Sequence, residues 1–479
     1  MKRLKKTQKK WLILLIATLI MGAVLIASIA VYFNREGQLA FDGKLRAEMF
    51  YFILTFLLFI PLILVALLVL TLTTKKKKKQ PTQVIQMTDN GAIVLPDGST
   101  QSAFVGGQSS AGERESAEEV TERFCMLCEI DRKSASYGHT VYEKGVTLED
   151  FCNDFRNYAA GKLRLYYDID DIRRFVAGMA VSKLVILQGM SGTGKTSLAH
   201  AFGSYVDNPS TVIPVQPMWK ERTDLVGYYN EFTKRFNETL LLEKMYEANY
   251  SKDVYVTVLD EMNIARVEYY FAEFLSLLEL PDPNERYIDV VSDRWETDPK
   301  QFKDGRIKLP ENMWFVGTAN NDDSTFAISD KVYDRAMILN LDTKCERFAA
   351  PSVSKRPLAA REFTLLVEKA IKEYSVSRRN AKRLEELDKY LIDHFHITFG
   401  NRIMKQINTY IPVFVACGGD ELVALDDILS KKVIRKLETQ NPIYLRNSAE
   451  GLLSFIDELF GADKMPICKE HIHRLQRNA

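Results

Sequence analysis

Residues Gly189-Met190-Ser191-Gly192-Thr193-Gly194-Lys195-Thr196 carry the spacing G-x-x-x-x-G-K-T, a pattern suited to gripping a polyphosphate. Glycines let the backbone bend so that successive N–H groups face an anion, and a helix beginning there adds its positive end. Gly189, Ser191, Gly192, Thr193, Gly194 and Ser197 are the expected cradle. Lys195 would neutralise the outer phosphates and Thr196 would hold Mg²⁺. The run Val254 to Leu259 ends in Asp260-Glu261. Asp260 would reach the metal through water, and Glu261 would polarise the attacking water. A third run, Met313 to Thr318, opens into Ala319-Asn320-Asn321-Asp322, where an amide can hydrogen-bond that water or the terminal phosphate. Asn320 is the first candidate and Asn321 the second. Arg335 ends the segment Ser329-Asp330-Lys331-Val332-Tyr333-Asp334-Arg335. Its planar fork suits a neighbouring subunit's terminal phosphate, or a plain ion pair with Asp330 or Asp334. The chemistry these side chains share is Mg²⁺-dependent hydrolysis of a nucleoside triphosphate.

Each of these groups must stand at the end of a buried strand. The apolar run Val181 to Leu187 feeds the glycine loop, and Ser197 to Tyr205 reads as the helix after it. Short runs rich in valine, isoleucine and leucine, without polar alternation, read as strands covered on both faces. The expected fold is therefore α/β, a parallel sheet between helices.

Further segments fall in the same order as in one known family. They include Val215-Gln216-Pro217 with Trp219, and Asp224-Leu225-Val226-Gly227-Tyr228-Tyr229-Asn230. They continue with Leu259-Asp260-Glu261-Met262-Asn263-Ile264-Ala265-Arg266 leading into Tyr270-Phe271-Ala272-Glu273-Phe274-Leu275, then Val316-Gly317-Thr318-Ala319-Asn320 and Asp330-Lys331-Val332-Tyr333-Asp334-Arg335-Ala336. Late in the chain come Phe399-Gly400-Asn401-Arg402 and Leu425-Asp426-Asp427-Ile428-Leu429. From about Tyr166 to Thr439 the chain resembles the AAA+ NTPases of the McrB type, motors of modification-dependent restriction systems. The resemblance implies a P-loop domain followed by an α-helical lid, assembled as a homo-oligomeric ring. It implies that Arg335 acts in trans and that Arg402, as the lid's sensor arginine, touches nucleotide. It also implies a β-hairpin from Arg286 to Val291 and Gly305 to Leu309. Tyr228-Tyr229 then line a loop near the pore or form a buried aromatic pair. Some relatives use GTP and carry an Asn-Thr-x-Asp type segment where this chain has Asn320-Asn321-Asp322-Asp323, so ATP is the expected nucleotide, with GTP the alternative.

Relatives of the restriction type carry DNA-recognition domains ahead of the motor. Here that place holds two uncharged apolar runs, 11–33 and 49–73, each long enough at about 1.5 Å per helical residue to cross a bilayer. Basic clusters at Lys2 to Lys10 and Lys75 to Lys79 place both outer ends in the cytoplasm. The reading is a two-span membrane protein of a bacterial cell membrane, with N-terminus and motor cytoplasmic. A cleavable leader ending near Ser28-Ile29-Ala30 is the alternative for the first run.

The expected division is thus 1–74 membrane hairpin, 75–118 basic run and polar linker, 119–164 small helical adaptor, 165–348 nucleotide-binding domain and 349–479 lid. Within the linker a strand pair is possible around Ala92 to Leu95 and Ser102 to Val105. With 64 basic and 63 acidic residues, net charge gives no case for nucleic acid. Six scattered cysteines suggest no disulfide framework, and Cys125-Met-Leu-Cys128 lacks a second pair to complete a zinc site. Two functions follow: a membrane-anchored ATPase ring remodelling or moving a partner macromolecule, or the NTPase subunit of an antiviral system acting on DNA with a separate nuclease.

Overall fold

The computed structural model describes residues 93–94, 100–101, 122–137, 140, 142, 145–320, 325–342 and 344–478. The expected spans 11–33 and 49–73 lie outside the described residues, as do Asn321, Asp322 and Asp323. Among the described residues no helix is long and apolar enough to cross a membrane. The chain divides into two units, Met1–Arg114 and Glu115–Ala479. In the first, Ile93–Val94 pairs antiparallel with Thr100–Gln101, so the linker's strand pair forms with its second strand earlier than expected.

The second unit is built on five parallel strands: β1 (Leu184–Gly189), β2 (Thr211–Pro214), β3 (Tyr255–Asp260), β4 (Met313–Asn320) and β5 (Met337–Asn340). Their order across the sheet is β5-β1-β4-β3-β2, with every neighbouring pair parallel. Side chains alternate between two cores. Val185, Leu187, Val256, Val258, Trp314, Val316 and Met337 face one core, while Leu184, Ile186, Tyr255, Leu259, Met313, Phe315 and Ile338 face the other. That two-sided burial explains why the strands read as continuous apolar runs.

The first core is closed by helices Leu148–Leu163, Ile169–Val181 and Lys195–Tyr205. Thr147 starts the first of them by accepting from the Asp150 N–H at 3.1 Å, the side-chain capping that orphan helix donors require. Phe155 stacks on Tyr205 and meets Phe202 edge-on. Within the segment expected as a small helical adaptor, 119–164, the helix Leu148–Leu163 therefore shares the core of the nucleotide-binding domain. The second core is covered by Leu240–Ala248 and Ala272–Leu277.

Two antiparallel hairpins rise from the sheet. Gly227–Asn230 pairs with Arg235–Glu238, and Tyr287–Asp289 pairs with Arg306–Lys308, the hairpin expected there. Tyr228 is exposed, while Tyr229 is half-buried edge-on against Trp295. Arg123 joins both hairpins to the entering chain. It is 1% exposed, bonds Asp298 at 2.7 Å and Asp293 at 3.0 Å, and lies 4.4 Å from the Trp295 ring centroid. Glu238 accepts from the N–H groups of Cys125, Met126 and Leu127. The cysteine pair belongs to this junction, and among the described residues no group of three or more His, Cys, Asp or Glu could hold a metal ion.

Six helices follow, from Ala360–Glu373 to Pro466–Asn478. Gly400–Ala416 packs on Ile169–Val181. Buried Asp427 accepts from Tyr410 at 2.6 Å and from Lys431 at 2.5 Å, and pairs with Arg174 of the core at 3.2 Å. Paired and hydrogen-bonded in this way, a charge can be buried.

Candidate functional site

The site lies where the sheet changes direction: β1 runs between β5 and β4, and the loop after it opens at the carboxyl ends of the strands, where α/β sheets bind ligands. Gly189, Gly192 and Gly194 have φ of 144°, 79° and 93°, a region that side chains disfavour. A Cβ on Gly189 would lie 2.4 Å from the Leu341 carbonyl oxygen, so only glycine fits. The helix Lys195–Tyr205 begins with no side-chain cap. Its first N–H groups face the loop with a positive dipole end, the arrangement that receives a phosphate.

Lys195 is buried and its ammonium donates to the carbonyls of Gly189 at 2.9 Å and Met190 at 2.7 Å. Those bonds hold the cation inside the curl of the loop. The Thr193 hydroxyl donates to the Met190 carbonyl at 3.0 Å, Ser191 is exposed at the tip, and Ser197 stands in the first helical turn. Tyr167 braces the loop from below, its phenol donating to the Gly194 carbonyl at 3.0 Å. Burial pushes that phenol's pKa up, so it stays a donor.

Asp260 and Glu261 close the site. Thr196 Oγ1 donates to Asp260 Oδ1 at 2.7 Å, which joins the expected metal-binding pair directly. Hydroxyl and carboxylate are hard oxygen donors of the kind Mg²⁺ takes, and they stand beside the phosphate loop, so the residues present fit a Mg-nucleotide. Asp260 is anchored through its own carbonyl, which accepts from the Val215 N–H at 3.0 Å. Glu261 adopts the left-handed conformation, φ 52° and ψ 45°, and is exposed. Asn320 is opposite Gly189 in the parallel register of β4 and β1, beside the loop.

Sequence reasoning passed over two residues of this site. Thr318 Oγ1 donates to Asp260 Oδ1 at 2.8 Å and accepts from the Glu261 N–H at 2.8 Å, so one buried hydroxyl sets both carboxylate residues. Asn263 donates to the carbonyls of Asn320 at 2.9 Å and Phe326 at 3.2 Å, and accepts from the Asn320 N–H at 3.3 Å. Strand alternation was the available signal for Thr318. It lies two residues from Val316 and from Asn320, on the face that also carries Val256, Val258 and Asp260.

The two arginines are elsewhere. Arg335 precedes β5, and its carbonyl accepts from Ser182, just ahead of β1, at 2.7 Å. Met337 pairs with Val185, so Arg335 is level with Lys183, at the opposite end of β1 from the loop and about 20 Å from Gly189 along the strand at ~3.3 Å per residue. Its ion pair is with Glu279 at 2.8 Å, whereas Asp330 pairs with Arg435. Arg402 was expected to touch nucleotide as the lid's sensor arginine. In this chain it too bonds Glu279, at 2.6 Å, because helix Gly400–Ala416 packs along Ile169–Val181 and carries its first turn to the amino end of the sheet.

Residues 184–336 match the model of an AAA domain of the dynein-related subfamily, and residues 353–479 match a domain of unknown function (DUF8727). No curated protein matches. A full-length MCM homolog from Methanopyrus kandleri is among the similar solved structures, at 10% identity and a TM-score of 0.34. The likeness covers 61% of this chain and 62% of that one, so the chain spans less than two thirds of that protein's length. The segment 184–336 is an AAA-type domain that carries a complete P-loop, a nucleotide-hydrolysing type of domain.

Proposed function

We propose that the chain is a Mg²⁺-dependent ATPase that works as a ring of identical copies, anchored by its apolar runs 11–33 and 49–73 at the cytoplasmic face of a membrane, where it remodels or moves a partner macromolecule. One observation carries the catalytic part: the hydroxyls of Thr196 and Thr318 converge on Asp260 at 2.7 and 2.8 Å, with Glu261 fixed from the same Thr318 oxygen. When bound, Mg²⁺ supplies positive charge to the transferring phosphoryl group. The chain's own residues do the rest. Backbone amides of residues 189–196 and the Lys195 ammonium grip the triphosphate, Glu261 takes the proton of the attacking water, and Asn320 orients that water.

Arg335 supports the ring. A residue whose backbone lies about 20 Å along the sheet from its own loop has no part to play in its own site, and a second copy's terminal phosphate is the target it suits. Lysine runs flanking the apolar segments support the location.

The test is the full-length chain in detergent with Mg-ATP, and with Mg-GTP for comparison. E261Q is expected to bind nucleotide as the parent does while turnover falls by about two orders of magnitude or more. Undiminished turnover would remove Glu261 from the reaction.

A further inference from the structure

Beside β1's amino end lies a cavity of about 660 Å³ whose lining is strongly cationic. Arg286, Arg335, Arg402 and Lys405 contribute positive charge, against Glu279 and Asp334, while burial holds the Lys183 amine well below the ordinary lysine range. Glu279 follows the helix Ala272–Leu277 and spends both carboxylate oxygens on arginines: Oε2 on Arg335 Nη2 at 2.8 Å and Oε1 on Arg402 Nη2 at 2.6 Å. One anion thus orders two cations that reach it from different elements, one from the turn before β5 and one from the first turn of Gly400–Ala416.

Neither arginine would hold that position unaided. Arg402 is at a helix amino end, where the dipole disfavours a cation. Arg335 has its Nη1 on the Lys331 carbonyl at 3.3 Å, while its Nε is buried without a hydrogen-bond partner, an expensive state for a charged group. Arg402 remains 51% exposed at its side chain, so the pair opens to the surface. A phosphate presented there would meet two forks already held side by side, with the ordering cost of both long side chains met beforehand.

We propose that Glu279 is a positioning residue that sets Arg335 and Arg402 as a two-arginine clamp for the terminal phosphate of a nucleotide bound by a second copy of this chain. The proposal rests on the reading that the chain works as a ring with Arg335 acting in trans. Glu279 touches no nucleotide itself. Its loss leaves each P-loop intact and disorders the clamp that the neighbouring copy depends on, so kcat falls while KM for nucleotide stays near the parent value.

Steady-state phosphate release by the full-length chain tests this with E279Q, R335A and K195A. E279Q is expected to lower kcat roughly tenfold or more, a fraction of the thousandfold or greater effect of an arginine finger, with KM within about threefold. Mixed with K195A copies, which hydrolyse nothing but keep an intact clamp, E279Q should release phosphate at several times the sum of the two alone. R335A mixed with K195A should do the same. If the R335A mixture recovers nothing, the trans reading itself fails. If it recovers while E279Q keeps the parent kcat, or while E279Q is not rescued by K195A, Glu279 is not setting a clamp for a neighbour and the proposal is overturned. Where the glutamine loosens the fold, E279D keeps the charge but withdraws it by one methylene, and the same kcat loss at constant KM is expected. Parent-like kcat in E279D overturns the proposal equally.

Discussion

Replacing Thr318 with valine removes one hydroxyl and almost no volume, yet it removes the atom on which both carboxylate residues are set. Thr318 is 2% exposed, so no water takes the vacated place, and two losses follow. Asp260 Oδ1 loses a donor at 2.8 Å, keeping Thr196 at 2.7 Å. The Glu261 N–H loses its acceptor at 2.8 Å. A hydrogen bond to a charged acceptor contributes about 1.5–3 kcal/mol, and an orphaned buried N–H costs about 1–3 kcal/mol. Glu261 is also held at φ 52°, a conformation that costs a side-chain-bearing residue about 1–3 kcal/mol and persists only where its surroundings impose it. Releasing the N–H therefore frees the residue that must face the water.

If about 2–4 kcal/mol of this is felt in the transition state, kcat falls roughly 30- to 900-fold. The phosphate loop is untouched, so the dissociation constant for Mg-nucleotide should stay within about threefold. T318S, which keeps the oxygen, should retain about a third or more of the parent rate. The assay is phosphate release under saturating Mg-ATP beside direct nucleotide titration, with thermal unfolding to confirm that the valine variant is folded at the assay temperature. Because Thr318 acts through Glu261, T318V/E261Q should be scarcely slower than E261Q alone, the non-additivity of groups that work as one unit. A folded T318V enzyme with kcat near the parent value, or full additivity in that double variant, would show that the hydroxyl does not organise the catalytic carboxylates.

N263A strips the Asn320 carbonyl and N–H and the Phe326 carbonyl of one partner, and kcat is expected to fall about tenfold with unchanged nucleotide affinity; N263D, which cannot donate, should match it in the same release assay. R123A leaves nearly buried Asp298 without its cation, and breaking such a pair costs about 3–5 kcal/mol; limited proteolysis should cut faster within 122–132, and R123K, without the fork, should rescue little. Lys432 donates to the carbonyls of Tyr333 and Ala336, and burial lowers its pKa to about 7. Between about 7 and the ordinary lysine value the unfolded chain binds more protons than the folded one, so stability rises with pH across that window. The unfolding free energy of the parent relative to K432M should therefore climb by up to about 1.4 kcal/mol per pH unit above 7, and a flat difference would mean that Lys432 is charged throughout.

Much of the sheet was legible because its chemistry and its burial leave the same mark. Strands covered on both faces must be apolar along their length, and three of them end abruptly at a glycine, a carboxylate or an amide: Gly189, Asp260, Asn320. Spacing alone therefore marks the loop, the acidic pair and the strand-end amide as the candidates. Thr318 was harder to see because threonine is an ordinary strand residue, and only its donor and acceptor partners give it a role. The packing of the helix Leu148–Leu163 was not legible, because helical periodicity tells that a face is buried, not what buries it; Phe155 finds Phe202 and Tyr205 of the helix after the loop.

Arg335 and Arg402 mark two different limits. In a parallel sheet all strands start at one end, and β5 pairs with β1 through Met337 and Val185. A residue just ahead of β5 must then lie at the amino end of β1, far from the loop that follows Gly189. Arg335's distance from its own nucleotide site was contained in the topology once β5 and β1 were neighbours. Arg402 has no such constraint, since it belongs to a helix whose height on the core is fixed by side-chain packing along Ile169–Val181 and by the Asp427 network with Arg174 and Lys431. Motif order marks it as a nucleotide contact without saying what holds it, and only the contact with Glu279 reveals that the two arginines share one counter-ion.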